Sequence, residues 1–572
     1  MPEKRWLFYK RDDGLCLSLA RELNSSNLLP HLLINRGVRD ITSAKKFLYP
    51  ELSDLIDPFL FNDMEKAVKR VFRIIQNKEH IIIYGDYDVD GVTGTAILYN
   101  LFKILGVNVD YYIPSRFKDG YGMNKAAIEK FKGDGVSVII TVDCGTSDVE
   151  EVGLASSAGI DVIIVDHHEP PEILPQAYAI VNPKQKGCPF PFKGLAGVGV
   201  AFNLVMALRA ELRKNGWFKG GEPNLKKYLD IVCIGTVSDM VPLVDENRIL
   251  VSHGMRELER TGRPGLKALK EVAGIKAGKV DTYNIAFQLA PRINAAGRVA
   301  QGEDALKLLI TEDEAEAASL ARLLDAENSS RQRLEEEIFN QALAMLGSGA
   351  GDRGVVLFGE GWHPGVVGIV ASRIVERFAK PAVLIALDGP TGRGSARGVK
   401  SFSILDGLEA CKDHLERYGG HKAAAGLTVK RENLEAFKES FLMHLNSALT
   451  DEDLVPVIEL DAAITLESLD FRLISEIESL SPFGIQNREP LFCLPDAHII
   501  RTEVVGGRHL RFTLRQSGLS AGGIGFGLAK LHPVAGDGYS LAFSPYINEW
   551  GGVRNLGLRI KDVQGRGKTF LA

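Results

Sequence analysis

Three aspartates at alternate positions, Asp86, Asp88 and Asp90, interrupt the apolar run at residues 81–94 (IIIYGDYDVDGVTG) before it gives way to glycine. Alternate side chains of an extended chain share a face, so the three carboxylates would point the same way. Packed together without a counter-charge they repel one another, and some are forced to protonate. A hard divalent cation removes that conflict, which makes metal binding the first chemistry to consider.

Three further apolar runs lead into residues of the same kind. Residues 138–142 end in Asp143, 162–165 in Asp166-His167-His168, and 231–237 in Ser238-Asp239. If all are strands of one open parallel sheet, their carboxyl ends meet at the crevice where such sheets bind ligands. Carboxylates mixed with imidazole suit Mn²⁺, with Mg²⁺ tolerated through the carboxylates. Five or six such ligands would hold two ions about 3.5–4 Å apart, an arrangement that clamps an in-line phosphoryl displacement. Taken singly, each run has a plainer reading. Asp143 could cap a helix, adjacent histidines are often one packed and one solvated, and DxDxD also occurs in acidic loops and incomplete calcium loops. Four together point to a site.

The elements that must position these residues follow an alternating pattern. Short β-branched runs at 80–84, 109–113, 138–142, 162–165 and 179–181 are separated by helix-like segments at 93–105, 124–132 and 150–158, with a longer amphipathic one at 198–214. That order predicts a parallel sheet covered on both faces. Residues 1–77 read as short helices, of which 64–76 would cover the first strand. Residues 303–346 lack proline and internal glycine and are rich in helix formers, which predicts a long helix or helix pair between two domains. Strand–helix alternation restarts in 347–450 as a second, smaller α/β domain. From about 455 the short runs 457–460, 491–492, 498–502, 510–514, 522–526 and 556–560 predict a small β-barrel.

Composition sets the outer limits. A chain of 572 residues exceeds one core, and about three or four domains is the expectation. A net charge of −5 gives no global positive field, although basic residues can still cluster locally. The six cysteines form no CxxC pair, which argues for a reducing compartment and against a zinc ribbon. The opening MPEKRWLFYKRDD is charged and lacks the apolar core of a secretory leader. No apolar run reaches the roughly 18–20 residues that span a bilayer. A cytoplasmic protein without a membrane partner is expected.

Asp166-His167-His168 after an apolar strand, with GDYDVDG and TVDCG upstream and GTVSDMVPL downstream, resembles the DHH phosphoesterase superfamily. SRFKDGYG (115–122), PRINAAGR (291–298), GGHKAAAG (419–426) and SPFGIQNREPLF (481–492) narrow the resemblance to the bacterial RecJ family of single-strand-specific 5′→3′ DNA exonucleases, in order and over nearly the whole chain. The resemblance implies an α/β fold: an N-terminal helical segment (1–77), a parallel-sheet DHH catalytic domain (78–302), a connecting helix (303–346), a smaller α/β DHHA1 domain (347–450), and a C-terminal OB-like β-barrel that binds nucleic acid (455–572).

Residue by residue, the resemblance implies Asp88, Asp90, Asp143, His167 and Asp239 as ligands of two Mn²⁺ or Mg²⁺ ions. Asp143, His167 and His168 are the catalytic candidates, with His168 at the scissile phosphate or the metal edge. Asp86 would stand behind the ligands and orient one of them or a bound water. Asp166 would fix a histidine tautomer or cap the turn. Arg116, just past a strand end on the crevice side, would grip substrate phosphate, since guanidinium groups hold phosphate in pairs of bonds. Arg292, Asn294 and Arg298 would line the DNA path near the metals. Ser395 and Arg397, within GRGSARG (392–398), would bind the 5′-terminal phosphate beside glycines that let backbone N–H groups approach an anion. Without the resemblance that segment reads as a surface hairpin. His421 would reach toward the active site from the second domain. In the barrel, Arg501, Arg508, Arg511 and Arg515 interleave with Phe512, Phe526, Phe543, Tyr546 and Trp550. That mixture suits a single-strand groove, with most of the rings equally readable as core.

The implied activity is release of 5′-mononucleotides from single-stranded DNA in repair and recombination. Two alternatives stay open: a DHH enzyme for small substrates, which would need no barrel, and a scaffold that kept the fold and lost catalysis, which would not need every ligand position filled. The sequence does not say whether a single-strand-binding protein or a helicase docks on the barrel, and nothing in it demands more than a monomer.

Overall fold

The computed structural model describes residues 4–115, 120–275, 278–299, 302–347, 352–550 and 553–565. They form two compact bodies. The larger contains residues 8–325 and 460–572, the smaller residues 1–7 and 326–459.

The larger body is built on a five-stranded, all-parallel sheet. Its order is Asn108–Tyr112, His80–Gly85, Val138–Val142, Asp161–Val165, Ala179–Val181. Apart from the edge strand Asn108–Tyr112, the strands are buried on both faces, as parallel strands covered by crossover helices must be. Ile81, Ile83, Val138 and Ile140 face one core with the helices Met64–Asn77, Val89–Ile104 and Gly197–Lys214. Ile82, Tyr84 and Ile139 face the other with Lys125–Gly133 and Val149–Ser157. The chain lays its first strand centrally, steps to one edge, then crosses to the other side. The direction of travel reverses between His80–Gly85 and Val138–Val142, and the crevice at such a reversal is where these sheets bind ligands.

The register makes three strand ends level. Gly85 pairs with Val142, Val142 with Val165, and Val165 with Val181. Each next residue continues the ladder: Asp86 N–H donates to the Val142 carbonyl at 3.1 Å, Asp143 N–H to Val165 at 2.9 Å, and Asp166 N–H to Val181 at 3.1 Å. Three acidic residues therefore stand side by side at one edge of the sheet.

Four expectations need correction. The run 231–237 is not a strand but part of the helix Leu229–Ser238. It is apolar on every side because helices surround it, and a short, uniformly apolar run does not distinguish a strand from a buried helix. The alternation of Asp86, Asp88 and Asp90 is not extended, because Asp88 caps the helix Val89–Ile104 and Asp90 lies in its first turn. The run 457–460 lies outside the barrel, pairing as Val457–Leu460 with Arg5–Phe8, a strand within the segment expected to be helical. The barrel also contains a strand not expected, Gly536–Trp550, in which Pro545 and flanking glycines hid the signal.

The barrel closes through Phe492–Val505, His509–Gln516, Leu519–Gly525, Val553–Gln564 and Gly536–Trp550, the last pairing back onto the first. Its core of Phe492, Phe512, Phe543, Leu510 and Leu541 is continued by Leu29, Leu32, Leu33 and Phe47 from the N-terminal helices. Residues 303–346 form a helix pair, Gly302–Ile310 and Glu314–Leu346, and the division between the two bodies falls within the second helix. The smaller body has a mixed sheet in the order Arg417–Gly420, Ala424–Lys430, Thr391–Arg397, Ala382–Asp388, Val355–Glu360. The glycine-rich segment is thus an internal strand. Gly392 and Gly394 fit there because a side chain at either would meet Ile385 at 2.6 and 2.9 Å.

Arg248 ties three parts of the larger body together. Its guanidinium is buried, stacks on Phe47 at 3.9 Å, and donates to the carbonyls of Phe47, Ser479, Leu480 and Ser481. Burial pushes its pKa down to about 9. Arg248→Ala would leave the Phe47, Ser479 and Ser481 carbonyls without this donor, while Leu480 keeps Asn487, at a cost of about 3 kcal/mol. Thermal unfolding followed by circular dichroism should show a transition several degrees lower, and an unchanged midpoint would refute the tie.

Candidate metal centre

Each acidic residue is held by a different local device. Asp88 accepts from Asp90 N–H at 2.9 Å and Gly91 N–H at 3.3 Å as the helix cap. Asp90 is 1% exposed. Its carboxylate accepts from Gly197 N–H at 2.6 Å and Val198 N–H at 2.8 Å, at the positive end of the helix Gly197–Lys214. Asp143 follows its strand with φ +63°, a left-handed conformation that aspartate tolerates better than most residues. Gly91 and Gly197 allow the crowding. A side chain at Gly91 would lie 2.5 Å from the Asp86 carbonyl oxygen, and one at Gly197 would lie 2.8 Å from Asp143 Cβ. Asp239 caps the C-terminal end of the helix Leu229–Ser238. The expected fourth strand end is a helix end.

These devices converge on His167. Its Nε2 lies 3.0 Å from Asp143 Oδ1, 3.6 Å from Asp239 Oδ2 and 3.8 Å from Asp90 Oδ2. Three overlapping sets have ligand atoms mutually within 4.8 Å: Asp90–His167–Asp239, Asp143–His167–His168, and Asp86–Asp88–Asp143. The third places Asp86 among the groups able to ligate, closer in than the sequence suggested.

The electrostatics have one direction. Burial, then the charge of Asp88, raises the Asp90 pKa to about 7. Burial, then neighbouring Asp90 and Asp88, raises Asp143 and Asp239 well above the usual carboxylate range. Burial, then the charge of His168, lowers His167 to about 3, so its ring is neutral. One ring nitrogen of His167 bonds the Leu195 carbonyl, which leaves Nε2 with a lone pair facing the carboxylates. Asp143 Oδ1, His167 Nε2 and Asp239 Oδ2 are buried without a hydrogen-bond partner. Buried acceptors with no donor fit a divalent cation, and imidazole beside carboxylate is a donor set for Mn²⁺ or Mg²⁺.

Asp166 has a separate role. Burial would raise its pKa, but it is held below the usual carboxylate range by His168 and Thr146. It accepts from His168 Nδ1 at 2.8 Å and from Thr146, His167 and His168 N–H groups. Burial lowers the His168 pKa, yet the bond and charge of Asp166 outweigh that and raise it. Tyr121, which lies in SRFKDGYG without an expected role, places its hydroxyl 3.1 Å from both His168 Nδ1 and the Asp143 carbonyl.

A cavity of about 370 Å³ opens onto Asp86, Asp88, Asp143, His168 and Asp239, and Asn294 and Arg298 line it too. Asn294 Oδ1 also accepts from Val89 N–H at 3.3 Å. Arg292 is not brought to the cavity. It is bound to Asp325 at 2.8 Å and to the Gln288 and Val272 carbonyls, which fixes it as a helix brace. Arg116 lies outside the described residues. In the smaller body, Arg397 donates to Ser395 Oγ at 2.8 Å. A side chain at Gly368, in the first turn of the helix Val367–Phe378, would meet Ser395 Oγ and Arg397 at 2.8 and 2.9 Å. A hydroxyl, a guanidinium and a helix N-terminus thus share one spot, the donor set of an anion pocket. His421 is exposed in the turn between Arg417–Gly420 and Ala424–Lys430.

Sheet, ligand set and barrel define a phosphoesterase of the DHH type. Residues 80–236 match the DHH family N-terminal domain, 351–446 the DHHA1 domain, and 460–562 the RecJ OB domain. The chain is 40% identical over 566 residues to the single-stranded-DNA-specific exonuclease RecJ of Bacillus subtilis, covering 98% of this chain and 70% of that one. It is 36% identical over 558 residues to the same exonuclease of Escherichia coli, covering 94% and 95%. The crystal structure of RecJ with Mn²⁺ from Thermus thermophilus aligns with a TM-score of 0.86 at 30% identity, over 99% of this chain and 80% of that one. A second, with Mg²⁺, aligns at 0.80 and 28% identity, over 99% and 79%. The chain belongs to the RecJ family of single-stranded-DNA-specific exonucleases.

The raised carboxyl groups carry a pH prediction. A carboxyl whose folded pKa lies above its unfolded value costs the metal-free fold progressively more as pH rises from about 4 through the folded value. A cation that takes the protons' place removes that cost. The rise in melting temperature given by Mn²⁺ over chelator should therefore be larger at pH 7.5 than at pH 6. An equal or smaller rise at pH 7.5 would contradict the assignment.

Proposed function

We propose that this chain is a metal-dependent exonuclease that degrades single-stranded DNA from the 5′ end and releases 5′-mononucleotides at a centre for two Mn²⁺ or Mg²⁺ ions, in DNA repair and recombination. The observation that carries this reading is the buried group of Asp143, Asp239 and neutral His167, each with an acceptor atom that has no donor, gathered beside the buried carboxylate of Asp90. Divalent ions bound there supply Lewis acidity toward the phosphoryl oxygen and a water of lowered pKa.

The chain's own residues do the rest. Asp166 holds His168 through Nδ1, which leaves Nε2 as the polar atom of that ring available to a phosphoryl oxygen at the cavity. Tyr121 steadies the same ring and the Asp143 backbone. Arg298 and Asn294 meet the strand beside the ligands. Ser395 and Arg397, against the helix start at Gly368, suit the 5′-terminal phosphate, and an end anchored there would give both polarity and removal of one nucleotide per cut. Arg501, Arg508, Arg511 and Arg515 are exposed on the barrel with Phe526, whereas Phe512 and Phe543 are core. A cytoplasmic setting suits six free, buried cysteines. No helix of the described residues is long and apolar enough to cross a membrane.

A DHH enzyme for small substrates is the weaker reading, since the closed barrel would then have no part to play. Digestion of 5′- and 3′-labelled single-stranded and duplex DNA with Mn²⁺, Mg²⁺ or chelator tests the proposal. Expected are attack on single strands only, loss of the 5′ label first as mononucleotide, and no activity in chelator. Equal attack from both ends would sink it. Asp143→Ala should abolish turnover while DNA binding stays within a few-fold of wild type. Arg397→Ala should instead shrink the advantage of a 5′-phosphorylated end over a 5′-hydroxyl end, and an undiminished advantage would remove Arg397 from the pocket.

A further inference from the structure

We propose that Asn247 is a positioning residue for the Asp90–His167–Asp239 part of the metal centre, an inference that rests on the metal-dependent reading above. Asn247 is 0% exposed and touches none of the three ligands in the contacts described. Both of its amide hydrogens are used on backbone: Nδ2 donates to the Gly194 carbonyl at 2.6 Å and to the Pro242 carbonyl at 3.0 Å.

Those two carbonyls belong to the two segments that fix the ligands. The segment following Gly194 supplies the Leu195 carbonyl, bonded to the His167 ring, and the Gly197 and Val198 N–H groups, bonded to Asp90. The segment running back from Pro242 carries Asp239 at its head. One side chain therefore sets the spacing between the backbone that aims Asp90 and His167 and the backbone that carries Asp239. The ligand atoms of these three residues lie within 4.8 Å of one another, although they come from separate regions of the chain.

The loop after Asp239 is otherwise held by packing of Val241 and Leu243 against the core. It forms no sheet, and Met240 within it has φ +58° and is 71% exposed. Its far end is fixed by Leu243 N–H, which donates to the Ile485 carbonyl at 2.8 Å, while Gly484 lies against the Leu243 side chain. The SPFGIQN segment thereby acts as a backstop to the same loop. Asn247 is the tie between this loop and the ligands on the other side. Small errors here matter, because partners that orient metal ligands typically change metal affinity by about 10–100-fold when removed.

The test is Mn²⁺ binding by calorimetry on wild type, Asn247→Ala, Asn247→Ser and Asn203→Ala, each checked by circular dichroism and by melting temperature in chelator. Asn203 is a nearby control: it is 0% exposed and donates to the Gly199 carbonyl and to Glu246, but to neither of the two carbonyls, Gly194 and Pro242, that Asn247 links. Expected is Mn²⁺ affinity weakened about 10–100-fold in Asn247→Ala. Asn247→Ser, which retains one donor, should fall between, and it carries the test if the alanine variant does not fold. Asn203→Ala should lower the melting temperature and keep wild-type affinity. Wild-type affinity in folded Asn247 variants, or an equal loss in Asn203→Ala, would overturn the proposal. Absence of Mn²⁺ binding by wild type would instead overturn the metal-dependent reading and this inference with it.

Discussion

The structure depends on holding several carboxylates together in a place where they repel. Two like charges about 4 Å apart at an effective dielectric of about 20 oppose each other by ~4 kcal/mol. Asp90 and Asp239 have ligand atoms within 4.8 Å of each other, as do Asp86, Asp88 and Asp143, and Asp143 joins the two groups at 3.0 Å from His167 Nε2. In the ion pairs of the described residues Asp90, Asp143 and Asp239 meet His167 rather than a lysine or arginine. The protein offsets the repulsion only in part, through N–H groups of two helix starts on Asp88 and Asp90 and through partial protonation. The remainder is the driving force for taking up cations.

That constraint explains the architecture around it. A level register of parallel strands is the simplest way to set Asp86, Asp143 and Asp166 side by side, and a parallel sheet needs helices on both faces. The reversal of chain direction beside His80–Gly85 opens the crevice into which the ligands project. Helix Leu229–Ser238 then brings in Asp239 at its C-terminal end, in place of a fourth strand end. Glycine at 91 and 197 lets two helix starts approach the Asp86 backbone and the Asp143 side chain without collision.

Much of this was legible in the sequence, and the misses have physical causes. Asp143 and His167 were legible only through the convergence of several apolar runs ending in Asp or His. Singly, Asp143 also reads as a helix cap and the paired histidines as one packed and one solvated. The structure sets the Asp143 and His167 side chains 3.0 Å apart. Asp239 was found for a partly wrong reason, since IVCIGTV is equally apolar as strand or buried helix. The alternation of Asp86, Asp88 and Asp90 pointed to metal by an extended geometry that the helix cap at Asp88 replaces. Arg292 looked like a phosphate ligand, yet its bonds to Asp325 and two carbonyls depend on a helix distant in sequence, which local pattern does not report. Asn247 carries no motif and Tyr121 only a place within SRFKDGYG: their partners, backbone carbonyls and for Tyr121 also the His168 ring, are chosen by the tertiary fold. The barrel strand Gly536–Trp550 was obscured by its own proline and glycines.

If stored repulsion is the organising feature, then removing one charge should stabilise the empty protein and harm the loaded one. Asp143→Asn is the sharpest probe. Asparagine keeps the shape, tolerates the left-handed backbone at φ +63°, and removes a buried charge. The melting temperature of this variant and of wild type should be compared at pH 7.5 in chelator and in Mn²⁺. The account predicts that the variant melts above wild type in chelator and below it in Mn²⁺. A variant that melts below wild type in chelator as well would contradict it.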